Sequence, residues 1–176
     1  LPDVPIFVDS PLAVSATDIY RLHTECFKED IIDIIHTQQD PFGFDNLFYV
    51  RTKEDSKRLN TTTRPCVIIS ASGMMEAGRI KHHLANNIEN KKTTVLVVGY
   101  CAPRTLGHRI VSGEKEISIY GNKYYVNAQI REIDALSGHG DYIEMTQYLS
   151  CQDKSKIKKL FLVHGEPPVQ ADYKRH

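Results

Sequence analysis

Cys66-Val67-Ile68-Ile69-Ser70-Ala71-Ser72-Gly73-Met74-Met75-Glu76-Ala77-Gly78-Arg79 is the stretch that decides the fold. Four consecutive apolar residues without polar alternation suit a short strand covered on both faces of a sheet. The run breaks at Ser-Ala-Ser-Gly, and a helical pattern continues to about Ile88. The same unit recurs on either side. Ile6-Phe7-Val8 ends in Asp9-Ser10-Pro11 and leads into a helix from about Leu12 to Cys26, with Ser10 at its start and Pro11 in its first turn. Thr93 to Val98 ends in Gly99-Tyr100-Cys101-Ala102-Pro103-Arg104-Thr105-Leu106-Gly107, and a helix runs on to about Val111. Repeated strand–loop–helix units predict an α/β fold, a mostly parallel sheet flanked by helices. Ligands of such sheets bind at the carboxyl ends of the strands, where Asp9, Ser70 and Gly99 fall.

The remaining stretches fit around these units. Glu29 to His36 carries four isoleucines and is expected to be a well-buried helix; Leu47 to Val50 is a strand and Lys53 to Leu59 a short helix. After Gly113 the pattern alternates over Glu116 to Tyr120 and Lys123 to Ile133, around a tight hairpin at Tyr120-Gly121-Asn122-Lys123. A helix from about Tyr142 to Leu149 and a last buried strand, Lys159 to Val163, complete a β-rich C-terminal segment.

Composition narrows the class. With 176 residues, 41% of them hydrophobic and 25% charged, the chain can bury a core and is not disordered. Its formal net charge is zero, so a nucleic acid would have to be held by a local patch. Cys26, Cys66, Cys101 and Cys151 form no CxxC pair, which argues against a cysteine zinc site and for a reducing, cytoplasmic compartment. No apolar run is long enough to span a membrane, so no membrane partner is expected. The opening Leu1-Pro2 and the final Tyr173-Lys174-Arg175-His176 read as the edges of an excised piece.

Several residues are candidates for chemistry. His139 lies between two glycines in Leu136-Ser137-Gly138-His139-Gly140-Asp141, at a strand-to-helix junction. Asp141 can cap the following helix, but a turn does not need an imidazole. His164, at the end of Leu160-Phe161-Leu162-Val163 and before Gly165, is either a ligand or a histidine bonded to a neighbouring loop. Asp9 is either a helix cap or a functional acid. Ser70, Ser72 and Gly73 open the next segment as a phosphate cradle or an ordinary capped turn. Arg79, Arg104, Arg109 and Lys81 supply charge near the rim or solvated surface. The adjacent His82 and His83 point to different sides of a helix and make a poor metal pair.

In order along the chain, these blocks resemble the β-CASP family of metallo-β-lactamase-fold nucleases, which includes the endonuclease subunit of the cleavage and polyadenylation machinery. Val8-Asp9-Ser10-Pro11-Leu12-Ala13 resembles the family's motif A, Ser137-Gly138-His139-Gly140-Asp141 motif B, and Val163-His164-Gly165-Glu166 motif C. Ser70 to Arg79 is similar to S-x-S/A-G-M-x-x-x-G-R, and Gly99 to Gly107 to G-Y-x-A-x-G-T-L-G, with Arg104 in place of the usual glycine. The metallo-β-lactamase H-x-H-x-D-H motif does not occur in these 176 residues. The resemblance implies a domain-junction strand at 1–11, a β-CASP domain at 12–126, and at 127–176 the C-terminal return to a metallo-β-lactamase domain.

It further implies a zinc-dependent ribonuclease acting on single-stranded RNA, with two zinc ions in the intact protein and an incomplete set here. Histidine rather than valine at motif C favours RNA over DNA. The resemblance assigns His164 as a zinc ligand and His139 to the scissile phosphate and leaving oxygen. It places Asp9 behind the His139 ring, and has Ser70, Ser72, Gly73, Arg79, Arg104 and Thr105 line the RNA cleft. The expected partners are RNA, the upstream half of the protein's own metallo-β-lactamase domain, and a second copy in a homodimer. On this reading the 176 residues alone are inactive. The alternatives are a non-catalytic RNA-binding or assembly module of the same family, and a metallo-hydrolase of small phosphorylated molecules.

Overall fold

A computed structural model describes residues 3–37, 40–133 and 139–176. The chain divides into two units, Leu1–Ala135 and Leu136–His176. The first three residues of the expected histidine-turn block, Leu136, Ser137 and Gly138, lie outside the described residues.

The first unit is α/β. Strand β1 (Ile6–Asp9) runs between β2 (Leu47–Tyr49) and β3 (Val67–Ser70) in a parallel sheet, with Ile6 opposite both Leu47 and Val67, and Asp9 opposite Ser70. A second parallel pair joins β4 (Thr94–Val98) to β7 (Gln129–Ile133). The hairpin is β5 (Glu116–Ile119) with β6 (Asn122–Tyr125). Its two-residue loop, Tyr120-Gly121, has φ of +53° and +81°, the signature of a type I′ turn.

Helices α1 (Pro11–Leu22), α2 (Glu29–His36), α3 (Lys53–Leu59), α4 (Ile80–Asn87) and α5 (Leu106–Val111) connect the strands. The main core packs Leu84 and Ile88 from α4 and its end against Val95 and Val97 of β4. Leu106 and Ile110 of α5 and Ile117 and Ile119 of β5 complete it. Cys101 joins this core, and burial pushes its thiol up, as it does that of Cys66. Both are therefore packing residues rather than nucleophiles.

Several sequence expectations are revised. The first helix ends at Leu22 because His23 leaves helical geometry; a separate 3-10 turn, Thr24–Cys26, follows. Helix α2 holds no fully buried residue. Its four isoleucines share one broad helical face, but that face is only partly covered: Ile31, Ile32 and Ile35 are half-buried and Ile34 is exposed. The strand at Thr93–Val98 is buried on one face only, and that at Cys66–Ile69 is half-buried on one face and exposed on the other. Val95 and Val97 point inward, whereas Val67, Ile69, Leu96 and Val98 are exposed. The alternating run from Lys123 is two strands, not one. At Asn127 and Ala128 the chain leaves the hairpin, both amides donating to the Ile88 carbonyl, and crosses to β4.

The segment after Gly73 is turns, and the helix starts only at Ile80. Met75 and Gly78 both take left-handed φ, +61° and +82°, which no helix continues through. Gly78 is required twice over: its conformation suits glycine, and a Cβ there would sit 2.3 Å from the Ala71 carbonyl oxygen.

The second unit holds α6 (Tyr142–Ser150) and α7 (Pro167–Arg175), which meet at an edge contact between Tyr142 and His176 with ring centroids 4.8 Å apart. The expected strand at Lys159–Val163 is extended chain without a ladder. A strand needs a neighbour to take its backbone groups, and among the described residues it has none; Leu160, Phe161 and Val163 are exposed. Among the described residues no helix is long and apolar enough to cross a membrane.

Gly78→Ala is expected to destabilise the fold by about 2 kcal/mol or more, given a left-handed site and a backbone clash. Gly73→Ala, where an added Cβ meets nothing within 4 Å, is expected to cost far less. Denaturant midpoints of the two variants check this.

Candidate functional site

The site begins at the carboxyl end of β1. Asp9 is completely buried, and both its oxygens are taken. Oδ1 accepts from an Arg79 guanidinium nitrogen at 2.5 Å; Oδ2 accepts from Ser56 Oγ at 2.6 Å and lies 2.6 Å from His83 Nε2. A carboxylate only accepts, so Nε2 carries the hydrogen on that side. His83 Nδ1 lies 2.8 Å from Asn60 Oδ1, and Asn87 Nδ2 donates to the His83 carbonyl. Arg79 also donates to the carbonyls of Val50 and Arg51, tying the end of β2 into the same knot. Among the described residues no buried side-chain polar atom is left without a partner. The helix-cap alternative for Asp9 falls away, because Ser10 caps α1 by accepting from the Ala13 amide.

Burial pushes the Asp9 carboxyl up. The hydrogen bonds from Ser56, Arg79 and His83 and the Arg79 charge outweigh it, holding Asp9 below the usual carboxylate value.

Two strand-exit loops are braced together at this rim. Ser70 Oγ donates to the Asp9 carbonyl. Gly107 N donates to the Met74 carbonyl at 3.0 Å, Leu106 N to Glu76 Oε1 at 2.5 Å, and Cys101 Sγ lies 3.6 Å from the Gly73 carbonyl. A Cβ on Gly107 would stand 2.6 Å from that sulfur, so the close approach needs glycine. The structure thus joins the Ser70–Arg79 and Gly99–Gly107 blocks, as expected of one rim.

Within the rim, the candidate substrate residues divide. Ser70 and Arg79 spend their donors on Asp9 and nearby carbonyls, and Thr105 caps α5 by accepting from the His108 amide. Ser72 donates to the Ala77 carbonyl at 3.4 Å, while Gly73 is open. Arg104 is exposed at φ +72° and makes no ion pair among the described residues.

The second unit carries the two motif histidines. His139 and His164 face each other with ring centroids 5.9 Å apart and planes tilted by 38°. Two residues beyond His139, Asp141 and Glu144 form a reciprocal capping box at the start of α6. His164 has φ +73° and is followed by Gly165 at +85°; Gln170 Nε2 donates to both their carbonyls, at 2.9 and 3.0 Å. A non-glycine residue in this conformation is costly and concentrates at functional sites.

Comparison with known proteins places the chain. The Beta-Casp domain family matches residues 1–110, and the family of the Zn-dependent metallo-hydrolase RNA specificity domain matches residues 123–176. The chain belongs to the β-CASP family of metallo-β-lactamase-fold RNA nucleases. Its relatives include Ribonuclease TTHA0252 of Thermus thermophilus, 30% identical over 94% of this chain and 37% of that protein. An RNase J-like protein of Methanocaldococcus jannaschii has the same identity and coverage. The transcription termination factor FttA of Methanosarcina mazei is 29% identical over 98% of this chain and 28% of its own length. The chain therefore spans about a third of the length of these relatives.

The fit of zinc to these residues is partial. Imidazole nitrogens are suitable donors, and His139 and His164 are brought together, but zinc takes about four ligands. Among the described residues there is no group of three or more His, Cys, Asp or Glu side chains able to hold a metal.

The sequence reading overlooked Ser56 and Asn60, and weighed His83 only as half of a poor metal pair. The signal for His83 lies in spacing: Arg79, His83 and Asn87 recur every four residues and share one face of α4, from its N-cap to its last residue. Ser56 and Asn60 come from α3 and its end, and only the tertiary fold brings Ser56 to Asp9 and Asn60 to His83.

The depressed Asp9 carboxyl gives a signed prediction. Its contribution to stability is full above the unfolded value of about 4 and is lost as pH falls through the lower folded value. Removing the carboxylate while leaving Arg79 buried is expected to cost about 3–5 kcal/mol near neutrality. Denaturant unfolding at a series of pH values should show the gap between wild type and Asp9→Asn shrinking below about pH 4. A gap independent of pH counts against the assignment.

Proposed function

We propose that this chain is part of a zinc-dependent ribonuclease that hydrolyses phosphodiester bonds in single-stranded RNA. The observation that carries this reading is the pairing of the two motif histidines, His139 and His164, within a segment matched by a zinc metallo-hydrolase RNA specificity domain. Residues 12–126 serve as the β-CASP domain and 127–176 as the return segment of the catalytic domain. The remaining zinc ligands come from the rest of the protein.

Zinc, when bound, supplies an activated water and neutralises phosphate charge. His164 offers an imidazole nitrogen as one ligand from its constrained turn. His139, held beside the capping box, contacts the scissile phosphate and gives a proton to the leaving oxygen. The loops carrying Ser72, Gly73 and Arg104 line the RNA path, with the Arg104 guanidinium suited to phosphate. Asp9 has no exposed surface and both oxygens engaged, which supports a bracing role in place of a direct one behind His139.

A second reading is an RNA-binding or assembly module without catalysis, favoured by the lack of a three-ligand metal group among the described residues. Cleavage of end-labelled single-stranded RNA by the full-length protein separates the two. His139→Ala is expected to lower the rate by about 100- to 10,000-fold with zinc content retained, and His164→Ala to lower zinc content. The 176-residue chain alone is expected not to cleave. RNA binding without cleavage by the zinc-loaded full-length protein supports the module instead.

A further inference from the structure

The loop between Ser70 and Arg79 is tied at both ends to one residue. At its entrance, Ser70 Oγ donates to the Asp9 main-chain carbonyl at 2.9 Å; at its exit, the Arg79 guanidinium meets the Asp9 carboxylate. The exit side chain is 14% exposed and the carboxylate not at all, so this ion pair is shielded from solvent screening. His83, one helical turn beyond Arg79, holds the other carboxylate oxygen and fixes the start of α4. Between the two ties the chain makes left-handed turns at Met75 and Gly78 and offers Gly73 to open space. Its carbonyls at Gly73 and Met74 receive the second rim loop.

We infer that Asp9 is a positioning residue: it clasps the Ser70–Arg79 loop into the shape that binds RNA at the rim, and takes no part in proton transfer. The inference rests on the reading of the rim as RNA-contacting. The apolar core of α4, α5 and β4 shares no residue with the clasp, so the loop is the part of the rim that depends on it most directly. With the clasp open the loop samples other shapes, and RNA affinity falls by the fraction of time the binding shape is lost.

The test uses the full-length protein, measuring deuterium uptake over residues 71–78, affinity for a single-stranded oligoribonucleotide, and cleavage rate at saturating RNA. Asp9→Asn is expected to raise uptake in this loop and weaken RNA binding about tenfold, with the saturated rate changed less than twofold. Ser70→Ala, which cuts only the entrance tie and carries little risk to folding, is expected to move uptake and affinity in the same direction by a smaller amount. Ser56→Ala weakens the same carboxylate from α3; it is expected to lower the melting temperature while leaving loop uptake at the wild-type level.

Unchanged uptake in both Asp9→Asn and Ser70→Ala overturns the clasp. A loss of saturated rate with affinity intact overturns it too, and returns Asp9 to the chemistry. Equal loop opening in Ser56→Ala also overturns it, by showing general loosening. If Arg104→Ala and Asp9→Asn both leave RNA affinity unchanged while Asp9→Asn raises uptake, the RNA reading of the rim is what fails, and the affinity half of the inference with it.

Discussion

The first unit depends on a buried negative charge that is fully answered. An isolated carboxylate in the interior is costly, and Asp9 is tolerated only because Arg79, His83 and Ser56 converge on it. Those three partners come from different elements: the turn before α4, α4 itself and α3. Satisfying one carboxylate therefore fixes the relative placement of three segments that hydrophobic packing alone would leave freer. The directional demand of the hydrogen bonds supplies specificity, whereas the apolar core supplies most of the stabilisation.

The rim follows from that constraint. Once Arg79 is held, the chain must return from β3 to α4 within a few residues, and it does so through left-handed turns rather than helix. Gly78 lies against the Ala71 carbonyl with no room for a side chain. The second loop then packs through Gly107 onto Met74, where an added Cβ would stand 2.6 Å from the Cys101 sulfur. The two glycines are thus explained by contact as much as by backbone freedom.

Much of this was legible in the residues. The apolar runs at Ile6–Val8, Cys66–Ile69 and Thr93–Val98 announced parallel strands, and Tyr120-Gly121 announced its hairpin. Ordered blocks around Asp9, Ser70, Gly99, His139 and His164 announced the family. What the chain concealed was long-range. A helical pattern from Gly73 onward looked continuous because Met, Glu and Ala favour helix, yet tertiary contacts at Ala71 and Asp9 overrode propensity. The link from Asp9 to Ser56, and from His83 to Asn60, was invisible since Ser56 and Asn60 carry no pattern of their own. Apolar runs cannot say how many faces are covered, so Val67, Ile69, Leu96 and Val98 read as interior although one face of their strands is open.

Arg104 has a consequence for how such a rim can diversify. It occupies a left-handed position that the family usually gives to glycine, at a conformational penalty of about 1 kcal/mol. Glycine adopts this left-handed backbone without penalty, so Arg104→Gly would remove the cation from the rim without forcing a new loop shape. Net charge zero across the chain makes that single cation count for more. On the RNA-contacting role proposed for this rim, one codon would set its positive charge, with folding stability as the counterweight.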